Sequence, residues 1–475
     1  MSLRPQQPIP PVPDDTARVA RAAFRTRNSY LILRDRLGTL FTDADFADLY
    51  PKRGQPAYAP WRLALVTLMQ FREGLSDRHA ADAVRARIDW KYLLALDLAD
   101  PGFDRGVLCE FRSRLLGDEA VDRLLARVLD AAREDGLLKA RGRQRTDSAH
   151  VLAAIRTLNR LELLAETLRR VWARHFERLE GGQDGGARLR PVQGRGPGDR
   201  LESPYDTEAR FRTKANTTWT GYMVHCTETC NPGAPRLVVH ADTTPANVHD
   251  ALRTAPIHAA LAVKNLAPSE HLVDSAYASA DHLISAREKH GMDLVGPTRP
   301  NLSWQSHAEG AFSAADFTVD WDRQTVRCPE GKDSAGWYRD VKRPGQRARI
   351  RAQFRAADCR GCASRSRCTR TQTSNQGRVL AVLPRDGHDA LAAARARGRT
   401  AEGRRLYAQR QGIESTMSQA ARAFGLRQTR YRGLAKAGLQ HAATAAAINI
   451  DRIAAWFGGR PIAPTRISRF AALAA

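Results

Sequence analysis

Arg143-Gln144-Arg145-Thr146-Asp147-Ser148-Ala149-His150-Val151 is the stretch on which the fold turns. It is short, follows a glycine and ends on Val151, so it reads as a strand with Asp147 at its middle. A carboxylate there is uncommon unless a cation or a metal pairs with it. His271-Leu272-Val273-Asp274 is a second short strand candidate carrying an acid. In Tyr407-Ala408-Gln409-Arg410-Gln411-Gly412-Ile413-Glu414, the residues Tyr407, Arg410 and Glu414 fall at three- and four-residue spacing, one face of a long helix expected over 401–424. Each acid also has a plainer reading. Asp147 before Ser148 suits a turn, Asp274 suits the cap of a helix after Tyr277, and Glu414 suits an exposed charge. Asp242, Asp250 and Glu228 stand as substitutes.

Around these segments the pattern is mixed α/β. Residues 219–230 alternate as a strand, 236–241 form an apolar strand, 246–263 read as helical and 293–295 as another short strand. Residues 151–179 read as a helix with Leu158, Leu161, Leu164, Leu168, Val171 and Trp172 in one stripe, followed by a mobile basic loop at 181–200 rich in Gly, Arg and Pro. Residues 17–135 read as a cluster of helices. Pro60 starts one, Ser76 or Asp77 caps the next, and Asp104 caps a third. Such a cluster suits a DNA-binding head or a dimerisation domain equally.

The three acidic segments, in this order, resemble the DDE triad of insertion-sequence transposases with an RNase H-like fold. The likeness extends over most of the chain, and residues 49–114 look like the N-terminal domain common to such transposases. The resemblance implies an α/β fold, an RNase H-like mixed sheet with helices, plus an N-terminal all-α domain and an inserted Cys-containing subdomain. The expected division is an arm at 1–16, a DNA-binding head at 17–135, a catalytic domain at 136–299 and 401–460, the insertion at 300–400 and a tail at 461–475. It further implies Asp147, Asp274 and Glu414 as catalytic ligands of two Mg²⁺ (or Mn²⁺) ions, and cleavage at element ends with strand transfer into target DNA. Tyr407 and Arg410 match the Tyr, Arg, Glu signature, whose Arg contacts DNA phosphate. The Lys often found seven positions after the Glu is replaced here by Ala421, so Arg422 takes that role. The competing readings are a DDE-type nuclease without strand transfer and a non-catalytic DNA-binding descendant.

The chemistry explains why such acids meet. Two carboxylates ~4 Å apart repel by ~4 kcal/mol at an effective dielectric near 20, a conflict that divalent metal removes. Two ions in one site can activate a water or a 3′ hydroxyl and stabilise the departing oxygen.

Composition points to the same partner. In 475 residues, Lys plus Arg is 75 and Asp plus Glu is 51, a net charge of +24. Such a surplus attracts a polyanion, although a merely basic soluble enzyme carries it too. Arg427, Arg430, Arg432 and Lys436 interleave with Tyr431 downstream of Glu414, which suits phosphate contact and base stacking. The partners expected are terminal inverted repeats and target DNA, with a homodimer in the DNA complex. No apolar run approaches the ~20 residues of a membrane helix, and residues 1–16 lack the apolar core of a signal peptide. A cytosolic protein, on the bacterial nucleoid when bound to DNA, is expected.

Seven cysteines divide into two groups. Cys109, Cys226 and Cys230 read as reduced packing residues. Cys328, Cys359, Cys362 and Cys368 form one CxxC pair with two further thiols among Gly and Pro, compatible with a structural zinc site and equally with free thiols, a redox pair being the lesser option. His307 and His388 are the replacement ligands.

Overall fold

The computed structural model describes the chain apart from residues 1, 4, 6–7, 26–27, 117–119, 156–159, 176–200, 215, 342–346, 371–374 and 461–475. It divides into two compact units: 1–252 with 259–271 and 409–475, and 253–258 with 272–408.

The first unit opens with α1 (Asp14–Ala23), α2 (Ser29–Leu37), α3 (Pro60–Glu73), α4 (Asp77–Ala86), α5 (Ile88–Leu93), α6 (Arg105–Leu115) and α7 (Arg123–Glu134). The expected start signals act as expected. Pro60 occupies the first turn of α3, where its missing N–H costs nothing, and Ser76 and Asp104 accept from His79 N and Gly106 N to cap α4 and α6. Trp61, Phe46, Phe71, Trp90 and Phe111 are fully buried in this unit. The first sixteen residues are not all a free arm. Ser2 N donates to Gln55 O at 2.7 Å, Leu3 is buried, and Asp14 to Thr16 already belong to α1.

The sheet of this unit is built from β1 (Arg143–Leu152), β2 (Arg210–Lys214), β3 (Thr217–Thr229) and β4 (Val238–Pro245), with α8 (Arg160–His175) between β1 and β2 in sequence. β3 lies between β1 and β4 and pairs antiparallel with β1, β2 and β4. Its TTWTGYMVHCTET sequence, rich in β-branched and aromatic residues, favours that central position. Gly221, at φ +155, passes so close to β1 that a Cβ there would stand 2.2 Å from Val151 O.

The expected helix over 151–179 starts later, because β1 continues to Leu152. Its Leu161, Leu164 and Leu168 are exposed, so the stripe is not core. Leu158, the side chains of Val171 and Trp172, and the loop 181–200 lie outside the described residues.

The chain changes units within α9 (Thr254–Val263) and again between His271 and Leu272 of β5 (Glu270–Leu272). In the second unit Val273 N donates to Val295 O of β6 (Asp293–Val295) at 2.9 Å, with α10 (Ala280–His290) between them in sequence. The hairpin β7 (Thr318–Asp320) and β8 (Thr325–Arg327) follows, then β9 (Gly336–Asp340) and β10 (Arg349–Gln353), α11 (Ala356–Arg360), α12 (Arg365–Cys368) and β11 (Val379–Val382). β10 lies between β9 and β11 in a three-stranded sheet. α13 (Arg385–Arg399) packs on α10, and α14 (Ala401–Ala408) ends the unit.

Back in the first unit come α15 (Gly412–Ala423) and α16 (Leu434–Phe457), the latter packed on β4 and on α2, α3 and α7. The single helix expected over 401–424 is broken by a 3₁₀ turn at Gln409–Gln411.

Candidate active site

Strand periodicity builds the first half of the site. Alternate residues of β1 share a face, and the odd-numbered Arg143, Arg145 and Asp147 all reach the turn that precedes α15. Arg143 Nη1 donates to Gln409 Oε1 at 2.8 Å, Arg145 Nη1 to Gln409 O at 2.5 Å, and Arg410 Nη2 pairs with Asp147 Oδ2 at 3.0 Å. The same guanidinium lies 3.8 Å from Glu414 Oε1, one turn further on. Arg410 therefore stands between two of the three acids. Its side chain is 11% exposed, that of Asp147 is 18% and that of Glu414 is 67%, so the glutamate is the arm open to solvent.

A buried clamp holds this arrangement. Glu228, opposite Arg145 across the β1–β3 ladder, is fully buried and accepts from Arg145 Nε at 2.7 Å, Thr416 Oγ1 at 2.6 Å and Arg452 Nη1 at 3.0 Å. One carboxylate thus ties the strand of Asp147 to α15 and α16. A Cβ on Gly412 would stand 2.0 Å from Arg145 Nη1, so a larger residue there would force the clamped guanidinium to shift. Arg145, Glu228, Thr416 and Arg452 were not foreseen as a group. The one available signal was the alternation that sets Arg145 on the face of Asp147.

On the other face, Thr146 Oγ1 lies 2.7 Å from Thr227 Oγ1 and 2.6 Å from His271 Nε2, which aligns the start of β5 with β1.

Asp274 belongs to the second unit, two residues past the end of β5 and not within the strand as expected. Its Oδ1 accepts from Ala276 N at 2.6 Å and its carbonyl accepts from Tyr277 N, a turn that ends the strand. It does not cap the next helix; Ser279 Oγ does, accepting from His282 N.

The substitute acids are otherwise engaged. Glu228 is in the clamp. Asp250 is buried, and although burial works to raise its pKa, Lys214, His225 and Arg212 outweigh that and hold it below the usual carboxylate range. Asp242 lies opposite His225 in the β3–β4 ladder.

Among the residues expected to meet DNA, Arg422, Arg427 and Lys436 are exposed. Arg430 is exposed too but donates to Leu75 O at 2.9 Å, and the Arg432 guanidinium lies over the Tyr205 ring. Tyr431 is half-buried with Arg112 over its ring, so it is no open stacking platform. Tyr407 lies in α14 of the second unit, half-buried.

Cys226 and Cys230 are buried as expected, but Cys109 is exposed. Cys328, Cys359, Cys362 and Cys368 are free thiols that line a single cavity, and neither His307 nor His388 lines it. Among the described residues, no three His, Cys, Asp or Glu side chains stand in an arrangement ready to hold a metal ion.

Two families match the chain. The Transposase domain (DUF772) matches residues 20–114, which covers most of the helical head, and the Transposase DDE domain matches 327–454, which covers the four thiols, Arg410 and Glu414. Both are transposase families, and together the two matches support an insertion-sequence DDE transposase. No curated protein matches it. No helix among the described residues is long and apolar enough to cross a membrane.

Proposed function

We propose that this chain catalyses transposition itself, cutting DNA at the ends of an insertion sequence and joining the freed ends to target DNA, with Asp147, Asp274 and Glu414 as the acidic centre of an RNase H-like domain. The observation that carries this reading is the sharing of one guanidinium by Asp147 and Glu414, above a clamp that fixes strand to helix. Acids held together in this way need a cation, and Arg410 supplies one.

The donor set suits Mg²⁺ or Mn²⁺, which take hard carboxylate oxygens. Asp147, Asp274 and Glu414 are the residues that would hold such ions. When bound, such ions act as Lewis acids that lower the pKa of a water or 3′ hydroxyl and stabilise the departing oxygen. The chain's own part is positional. The clamp of Arg145, Glu228 and Thr416 holds Glu414 over β1. Arg410, released from Asp147, offers a planar fork of donors to a DNA phosphate. Exposed Arg422, Arg427 and Lys436 neutralise backbone charge. One element has two ends, so a homodimer is the assembly proposed, acting on DNA in the bacterial cytoplasm.

The test uses duplexes carrying the element's own terminal repeats, with Mg²⁺ present. Wild-type protein should cleave and join them. Asp147→Ala, Asp274→Ala and Glu414→Ala should each abolish both steps and leave DNA binding largely intact. A variant that cleaves like wild type removes its residue from the site. Wild-type cleavage without joining would make the protein a nuclease, and binding without cleavage would make it a non-catalytic descendant.

A further inference from the structure

The small sheet of the second unit has little core of its own. Phe317, Val326, Ala352, Phe354 and Leu380 form its buried cluster, and Cys328, Cys359 and Cys368 pack against it. So few apolar side chains rarely hold a fold without a disulfide or a metal. No disulfide is formed by the four thiols here.

Three separate segments bring those thiols together. Cys328 follows β8 in a tight turn where Gly331 N donates to its carbonyl, Cys359 lies in α11 and Cys368 ends α12. Cys362 lies between the two short helices, its carbonyl accepting from Arg365 N at 3.1 Å. Two sulfurs already accept main-chain donors. Lys332 N reaches Cys328 Sγ at 3.3 Å, and Arg378 N reaches Cys359 Sγ at 3.4 Å.

All four line one cavity of about 40 Å³, together with Phe312, Phe317 and Phe354. The space is too small for an organic ligand. A single soft cation fits. Lys332, Arg365 and Arg378 also border the cavity together with Glu330 and Asp358, so the border carries a net positive charge that offsets part of the surplus that four thiolates would leave around a divalent ion.

We propose that Cys328, Cys359, Cys362 and Cys368 form a closed structural Zn²⁺ site that staples β8, α11 and α12 to the small sheet. Four sulfurs at ~2.3 Å from a tetrahedral centre are ~3.8 Å apart. The thiols do not yet stand in that arrangement, and rotation about the cysteine χ1 between staggered wells moves each sulfur without moving the backbone. With every position taken by protein, the ion has no open site for water or substrate, so its role is folding and not chemistry. The site is independent of the strand-transfer reading, and its failure would leave that reading untouched.

The full-length protein, purified under reducing conditions without chelator, should contain about one zinc per chain by elemental analysis. Cys362→Ser should lower that content, and Cys109→Ser, an exposed thiol outside the cavity, should not. If Cys362→Ser fails to fold, the wild-type protein decides: exchange of its metal for Co²⁺ should give thiolate-to-cobalt charge transfer and the visible bands of a tetrahedral ion. Absence of zinc both as purified and after incubation with Zn²⁺ under reducing conditions, or octahedral cobalt bands, would overturn the proposal. So would a Cys359–Cys362 disulfide in protein that never held metal.

Discussion

Removing the Glu228 carboxylate is the sharpest test of how the site is held. Glu228 has no exposed surface and accepts from Arg145, Thr416 and Arg452. Deleting one member of a buried ion pair costs about 3–5 kcal/mol, because it strands the opposite charge away from water. Arg145 suffers most, being almost wholly buried. Arg452 is less deeply placed and keeps Arg236 O and Gln419 Oε1, so the lower end, about 3 kcal/mol, is expected for Glu228→Ala. At roughly 2–4 °C per kcal/mol for a large domain, that is a fall of about 6–12 °C in the melting of the first unit, readable by calorimetry. Thr416→Val removes two hydrogen bonds, the one to Glu228 Oε2 and the one from Arg452 Nη2, and leaves both arginines paired with Glu228, so about 2 kcal/mol is expected. Cleavage by Glu228→Ala should fall because the helix of Glu414 loses its anchor, and it should partly recover at low temperature. If Glu228 were instead a metal-binding acid, cleavage would vanish with the melting temperature unchanged. That result would refute the clamp.

Two further outcomes follow from the charge and burial of particular groups. His441 in α16 is buried with its Nδ1 2.7 Å from Thr243 Oγ1, and burial depresses it from 6.5 to about 4. A base held neutral by the fold contributes its full stability above pH 6.5 and loses it as pH falls toward 4. About 3 kcal/mol should therefore disappear across that window in denaturant unfolding, and His441→Gln should flatten the curve. In the second unit, exposed Arg299, Arg349, Arg395 and Arg399 line a groove of about 850 Å³. If DNA lies there, the double change Arg395→Glu and Arg399→Glu should reduce the slope of log affinity against log salt by roughly two, at ~0.9 per phosphate, and an unchanged slope would take the groove off the DNA path.

Local signals survived into the structure where nothing distant overrides them. Pro60, Ser76 and Asp104 start their helices, the strand of Asp147 forms, and the alternating strand expected over 219–230 forms at Thr217–Thr229, because caps and two-residue periodicity act within a few residues. The stripe of Leu161, Leu164 and Leu168 shows the limit of periodicity. It identifies a helix face but not what covers it, and here those side chains are exposed. Asp274 was read as strand because apolar residues precede it, yet its own carboxylate closes a turn with Ala276 N that the ladder cannot compete with.

The break at Gln409–Gln411 and the burial of Glu228 share one cause that no window of sequence contains. Gln409, Arg410 and Gln411 are good helix formers, so propensity joins α14 to α15. What parts them is Arg145, which takes the carbonyl of Gln409 and occupies the space a side chain at Gly412 would need. Glu228, between two threonines near the end of β3, likewise looks like a solvated acid until Arg145 is set opposite it and Arg452 arrives from the last described helix. The turn before α15 takes Arg145 Nη1, which helps the guanidinium lie buried beside Glu228. The turn in turn places Arg410 between Asp147 and Glu414. The cohesion of Asp147 with Glu414 depends on an arginine two residues before Asp147, and that arginine is informative only once the strand, the turn and the last helix are seen to converge on it.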